Sequence, residues 1–470
     1  MQMNANNFIP VSKINTANED LKAAVGKATR TAYDKRLHAM FSEGAEHGEA
    51  LRQQAAEAKR RALLKLPALL EQAEANMTAN GILVRWAATA AEAQQLVMAI
   101  ANEHAVKSVI KAKSMVSEEL HINQVLEEAG IQVIETDLGE YIIQLAHEPP
   151  SHIIAPVIHK SKDDIRDLFI AKLGMPYTDD AQEMTRFARR TLRDAFLSSD
   201  MGISGANFII AETGTLGLVS NEGNIRLTTS LPKVHVALVG IEKLVETVED
   251  YVTLTQVLPR SGTGQQMSVY THMINGPKRA DDADGPEHVY VIFVDNGRSE
   301  IYTSQYAEVL SCIRCGACLN TCPVYRSTGG HTYGSVYSGP IGAVLTPLLN
   351  GLSNAKPLPH ASSLCGSCKQ VCPVDINLPK FLLDLRHDLV QAGERDMMIS
   401  AGIKGWELAV RSPAIFHLAG KSAQVGQKIV GDQLPQPLGN WTEFREFPDF
   451  APKPFRQLWQ ERQERMEGKR

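Results

Sequence analysis

All seven cysteines of this 470-residue chain lie between Cys312 and Cys372. A disulfide framework would spread its cysteines, use an even number and require an oxidising compartment. Thiols gathered in one short stretch point instead to metal or cluster ligation. The first run reads Cys312-Ile-Arg-Cys315-Gly-Ala-Cys318-Leu-Asn-Thr-Cys322-Pro323, a C-x2-C-x2-C-x3-C-P pattern. That run is a known ligand pattern of bacterial [4Fe–4S] ferredoxins. Three thiolates at steps of three on a tight loop can converge on three irons of one cube. The next cysteine, displaced by an extra residue and followed by proline, sets off in another backbone direction. Gly316 and Ala317 leave room for backbone N–H groups to approach inorganic sulfide.

The second run, Cys365-Gly-Ser-Cys368-Lys-Gln-Val-Cys372-Pro373, repeats the last three cysteine positions of the first, and the missing leading position falls on Ser362. In ferredoxins the final cysteine of each run ligates the other cluster. Applied here, one cluster takes Cys312, Cys315, Cys318 and Cys372. The other takes Cys322, Cys365 and Cys368 and lacks a fourth thiolate. The expectation is two iron–sulfur clusters of [4Fe–4S] type. The second carries Ser362, His360, water, an outside ligand or a partner's thiolate at its open corner, or is a [3Fe–4S] centre. Two C-x2-C knuckles also suit tetrahedral zinc, but zinc explains neither the successive spacing of three nor the repeated C-x3-C-P endings.

The rest of the chain narrows the function class. With 48 Lys plus Arg against 53 Asp plus Glu and a net charge of −5, it has no basic footprint for nucleic acid. No apolar run approaches the roughly 18 residues of a membrane span, and the N-terminus lacks the basic-then-apolar pattern of a secretory signal. The expected location is the cytoplasm. The length suggests about three domains with ample core.

Residues 1–80 read as a helical lead-in, broken or kinked near Pro67, with Lys59, Arg60 and Arg61 on a solvated helix face. Residues 81–300 alternate strands with amphipathic helices, indicating an α/β domain on a mostly parallel sheet. GILVRWA, SVIKAKS, IQVIET, YIIQLA, SHIIAPVI, NFIIAET, GTLGLVS, NIRLTTS, KVHVALVG and HVYVIFVDNG are the expected strands. Helices are expected over AAEAQQLVMAIANEH, over SEELHINQVLEEAG with Ser117 as N-cap and Gly130 as C-cap, over Asp163–Leu173 and Asp180–Ser198, and from Ile241 towards Tyr251. GPKRADDADGP reads as a surface loop. Residues 301–393 hold the cysteine module, entered by a short helix near Ser304–Leu310. It is closed by a helix with Leu378, Phe381, Leu382, Leu385 and Leu389 on one face. In 394–470, Trp406, Trp441, Phe444, Phe447, Phe450, Phe455 and Trp459 call for ordering against another surface.

Other candidate groups are weaker. No P-loop occurs, and SGTGQQM (261–267) lacks the third glycine and the strand-to-helix position of a dinucleotide loop. Glu212, in a glycine-rich strand connection, can be catalytic, can bind a ligand at the sheet edge or can simply turn the chain. Lys111, Lys113 and Ser114 end a strand where α/β sheets place ligands, so they can meet an anion or solvent. His331 and Tyr333, between the cysteine runs, can tune electron transfer or serve structure. Arg314 and Lys369 can raise potentials, dock an acidic partner or face solvent. No nucleophile–base pair stands out, and catalysis by this chain stays open.

Across nearly its whole length the chain resembles the lactate utilization protein B family. The resemblance rests on KAKSMVSEE (111–119), ETDLGEYIIQL (135–145), PSHIIAPVIHK (150–160), ETGTLGLVSNEGN (212–224), SCIRCGACLNTCPVY (311–325), GGHTYGSVYSGPIGAVLTP (329–347) and LCGSCKQVCPV (364–374). It implies a lactate-utilization domain similar to sugar-phosphate isomerases and coenzyme A transferases, an α-helical ferredoxin-like two-cluster module and a family-specific C-terminal segment. It also implies cluster ligation by the seven thiols, with a three-cysteine second centre. The implied role is electron transport in oxidation of L-lactate to pyruvate, alongside two sister proteins and an unidentified acceptor. Two alternatives remain. The α/β domain can bind a small anionic substrate itself, with the open-cornered cluster as Lewis acid, or the clusters can be structural staples.

Overall fold

The computed structural model describes residues 3–394, 397–430, 445–446 and 448–468. They fall into two units, 1–392 and 393–470.

The first unit opens with helices Phe8–Ala17, Glu19–Phe41, Ala45–Leu64 and Leu66–Ala79. The break falls at Lys65. Pro67 sits in the first turn of the following helix, where a missing N–H does no harm. Ala55, Ala58 and Ala62 are buried on the third of these helices, and their small side chains let other backbone approach. Lys59 goes inward with them: it is 2% exposed, and its Nζ donates to the Glu242 carbonyl at 2.8 Å and the Leu244 carbonyl at 3.1 Å. The expected solvated basic face is therefore corrected at Lys59, while Arg60 and Arg61 are exposed. Arg60 and Arg61 reach Asp375 at 3.3 Å and Asp250 at 2.6 Å.

The strands that follow are β1 (Leu83–Ala87), β2 (Ser108–Lys111), β3 (Gln132–Glu135), β4 (Met201–Ser204), β5 (Phe208–Ile210), β6 (Thr215–Ser220), β7 (Val234–Gly240), β8 (Leu244–Val245), β9 (Tyr270–Ile274) and β10 (His288–Val294). Six of them form a wholly parallel sheet in the order β1-β10-β7-β4-β2-β3. The largely apolar runs of β7 and β10 suit strands covered on both faces. Ala237, Val239, Val289, Val291 and Phe293 point into one core with the N-terminal helices and the cysteine module. Val236, Leu238, Tyr290, Ile292 and Val294 point into the other, with the helices Ala90–Glu103 and Ile122–Glu128. Alternation along these strands thus seats the cysteine module on one sheet face. The remaining four strands make a second sheet in the order β8-β5-β6-β9.

Several expected elements differ. YIIQLA belongs to the helix Leu138–Ala146, started by Asp137, whose carboxylate accepts from the Gly139 and Glu140 N–H groups. SHIIAPVI forms bends and turns, because its groups bond to the cysteine module instead of a sheet. NIRLTTS is the helix Asn224–Ser230, with Asn224, Ile225, Thr228 and Thr229 buried. Ser114, not Ser117, caps the helix Met115–Glu119, and His121 in the left-handed region separates it from Ile122–Glu128. After β7 the chain makes a turn of 3-10 helix (Ile241–Lys243) and β8 before the helix Val248–Gly262, so the helix expected from Ile241 starts later. Strands β4 and β9 lie outside the segments expected to be extended.

The module's closing helix runs Leu378–Gln391 and buries Leu378, Phe381, Leu382, Leu385 and Leu389, as its spacing requires. The second unit contains helices Met397–Val410, Pro413–Val430 and Phe455–Glu467. Its rings at Trp406, Phe450, Phe455 and Trp459 are exposed, whereas Trp441, Phe444 and Phe447 lie outside the described residues.

Candidate functional site

Each cysteine run is a loop followed by one turn of helix. In the first, Arg314 (φ 59°) and Gly316 (φ 73°) are left-handed, the helix Ala317–Thr321 follows, and Pro323 starts the next helix after Cys322. In the second, Leu364 (φ 55°) and Gly366 (φ 84°) are left-handed, and Ser367–Gln370 is helical. The two loops share one backbone design.

All seven cysteines are free thiols. Cys312, Cys315, Cys318 and Cys372 line one cavity together with Ile313, Ile341, Val374, Ile376 and Leu378. Burial first, then Cys372 and Cys312, push the Cys315 thiol up to about 12. Cys318 is raised by burial, then by Cys312 and Cys315, with Cys368 next. Burial raises Cys368 to about 12, aided by Cys322 and Cys365, and Cys322 is raised by burial with Cys365 as its acting thiol. Cys365 is exposed, and hydrogen bonding from Ser367 lowers it. The sulfurs thus act on one another in a four-member and a three-member set, adjacent through Cys318 and Cys368.

The residues fit iron–sulfur clusters. Thiolates crowded into an apolar pocket repel one another unless cationic iron sits among them. Backbone N–H groups already face the sulfurs: Arg314 N donates to Cys312 Sγ and Ile376 N to Cys372 Sγ, both at 3.4 Å. Ala317, Ile341 and Lys369 do the same for Cys315, Cys318 and Cys368. Such bonds stabilise sulfur charge and tune potential.

The surroundings are cationic. Arg314 is buried over the Tyr337 ring, with its Nη2 3.4 Å from Glu242 Oε1, so the solvent-facing reading of Arg314 is corrected. Glu242 also holds Arg298 at 2.8 Å. Burial alone would raise Glu242, but Arg298, then Lys243 and Arg314, outweigh it and hold the carboxyl at about 2. Burial pushes Lys59 down to about 7 and Lys243 to about 8, while the Cys312 sulfur pulls both upward. Tyr333 is fully buried, its hydroxyl makes no hydrogen bond among the described residues, and the Cys322 sulfur acts on it. Gly262 is needed where its helix end meets the first loop: a Cβ there would stand 2.8 Å from the Cys315 carbonyl.

Other sequence candidates are placed elsewhere. His331 Nε2–H donates to the Pro149 carbonyl at 2.8 Å and its ring meets His159. Lys111 is buried between Glu118 at 2.6 Å and Glu135 at 2.7 Å, so its charge is met internally. Glu212 accepts from Val248 N at a helix start. Lys369 and His360 are exposed. Lys113, Lys243 and Arg314 line a cavity of about 460 Å³ between the sheet and the first cysteine loop. Sequence reasoning missed Glu242, Lys243 and the turn Ser151–Pro156. That turn ties into the module through Tyr325 Oη donating to the Ser151 carbonyl at 2.7 Å and His152 pairing with Asn320 at 3.2 Å. The available signal was a charged Glu-Lys pair just after a largely apolar parallel strand, where such sheets place function.

Comparison with known proteins finds three family matches along the chain. The LUD domain family matches residues 70–294, the 4Fe-4S dicluster domain 308–376, and the lactate utilisation protein B C-terminal family 386–464. The chain thus joins a LUD domain with a parallel-sheet α/β core to a ferredoxin-like 4Fe-4S dicluster domain. Lactate utilization protein B of Geobacillus kaustophilus (strain HTA426) is 43% identical over 459 residues, covering 96% of this chain and 95% of that protein. The protein of the same name from Bacillus thuringiensis (strain Al Hakam) is 42% identical over 452 residues, covering 94% of each. A crystal structure of a DUF162 family protein from Deinococcus radiodurans is similar at 16% identity and a TM-score of 0.29, covering 49% of this chain and 98% of that one. No described helix is long and apolar enough to cross a membrane.

Proposed function

Because the chain belongs to the lactate utilization protein B family, we propose that it carries electrons in the oxidation of L-lactate to pyruvate. In this reading it works beside sister lactate-utilization proteins and hands electrons to a separate acceptor. One observation supports this most: Cys372 of the second run faces the same cavity as Cys312, Cys315 and Cys318, while Cys322 of the first run acts on Cys365 and Cys368. Two clusters held by those sets would supply one-electron transfer. The chain's own part is to hold them and set their energetics. Backbone N–H groups and the Tyr333 hydroxyl face the sulfurs, and the buried side chains of Arg314, Lys243 and Lys59 offset negative charge near Cys312. Cys365 gives the three-cysteine set an exposed edge, which suits exchange with a partner. Unpaired thiols in such number suit the reducing cytoplasm.

The test is reconstitution. Purified without oxygen and mixed with its sister proteins, the chain should be bleached in the visible by L-lactate. Bleaching should be absent without them. A second reading has the 460 Å³ cavity in its favour, since Lys113, Lys243 and Arg314 line it: the α/β domain then binds a small organic anion itself. L-lactate reduction of an artificial acceptor by the isolated chain would select that reading.

A further inference from the structure

The two cysteine loops match at an offset of 50: Cys312 falls on Ser362, Cys315 on Cys365, Cys318 on Cys368 and Cys322 on Cys372. The match extends to the backbone. Arg314 and Leu364 have φ of 59° and 55°, and Gly316 and Gly366 have 73° and 84°. It extends further to a hydrogen bond. Arg314 N donates to Cys312 Sγ at 3.4 Å, and Leu364 N donates to Ser362 Oγ at 3.1 Å. Ser362 Oγ therefore occupies in the second loop the place that Cys312 Sγ occupies in the first. Its loop is also pinned, since Arg386 donates to the Pro359 carbonyl at 2.9 Å and the Ser362 carbonyl at 3.4 Å.

We propose that Ser362 Oγ is the fourth protein ligand of the three-cysteine cluster, completing a four-iron centre. This rests on the iron–sulfur reading above. Iron is a hard enough acid to take an alkoxide oxygen. As the iron–oxygen bond forms, the hydroxyl proton leaves to solvent, and no electron changes hands. The competing donors are otherwise placed. His360 is exposed and falls outside the matched cysteine positions, and His331 is bound to Pro149.

The experiment uses the full chain, loaded anaerobically with ferrous iron and sulfide, and reads iron and sulfide content with EPR and Mössbauer spectra. Wild type should hold two four-iron centres. Ser362→Ala should convert one of them to a three-iron centre with loss of one iron per chain, leaving the other spectrum unchanged. Ser362→Cys should keep both four-iron centres and shift the spectrum of one alone. His360→Ala should change nothing. The proposal is overturned if Ser362→Ala keeps both four-iron spectra, if Ser362→Cys leaves both spectra identical to wild type, if His360→Ala is the variant that loses the iron, or if loaded wild type already holds a three-iron centre. Absence of acid-labile sulfide from wild type would instead overturn the iron–sulfur reading itself.

Discussion

Arg314 Nη2 stands 3.4 Å from Glu242 Oε1, and through that pair the first cysteine loop is tied to the end of strand β7. Glu242 is 1% exposed and also holds Arg298 at 2.8 Å. Glu242→Gln would leave the Arg314 guanidinium without its buried counter-charge and Arg298 with Glu119 alone, a loss of about 3–5 kcal/mol. The expected outcome is a clear drop in the denaturant midpoint together with faster cluster loss. An unchanged midpoint would show that the pair carries no structural weight.

Tyr333 is expected to tune rather than to hold. Its hydroxyl against Cys322 favours the more negative, reduced state. Tyr333→Phe should therefore move one midpoint potential downward by roughly 20–60 mV, the equivalent of a hydrogen bond worth about 0.5–1.5 kcal/mol. Iron content should stay the same. Redox titration followed by EPR reads both.

Gly262 tests the seam from the other side. A Cβ there would stand 2.6 Å from Ile154 Cδ1 and 2.8 Å from the Cys315 carbonyl. Gly262→Ala must push the first loop aside, at about 1–3 kcal/mol. The expected result is preferential loss of the four-cysteine centre, measured as its share of the EPR signal.

His235 should govern part of the acid limb of stability. It is fully buried, Nε2 lies 2.8 Å from Ser204 Oγ, and burial lowers its pKa from 6.5 to about 4. The unfolded chain therefore takes up a proton that the folded chain refuses. The stability from the neutral ring is complete above pH 6.5 and is lost as the pH falls towards 4, by up to about 3 kcal/mol. His235→Gln should flatten the fall of stability across that window, read by urea melts at successive pH values.

The cysteine spacing and the apolar stripe of the last module helix are local patterns, and both read directly from the sequence. So does the parallel sheet, because β7 and β10 are almost unbroken apolar runs. YIIQLA and NIRLTTS misled because short apolar runs suit strand and helix alike, and their helices are selected by the Asp137 cap and by tertiary burial. Lys59 misled for a related reason. A charge run looks solvated until a distant chain segment offers unpaired carbonyls, and those of Glu242 and Leu244 lie 183 and 185 residues away. Glu242 and Lys243 are a related case: their place just after an apolar strand marks them as candidates, but only the tertiary fold brings them beside Cys312.

The most direct test of the two-cluster arrangement is which EPR signal disappears when Cys372 is replaced. Cys372→Ala is expected to erase the signal that Cys315→Ala erases and to spare the one removed by Cys368→Ala. Loss of the Cys368-dependent signal instead would contradict the exchange of final cysteines between the two runs.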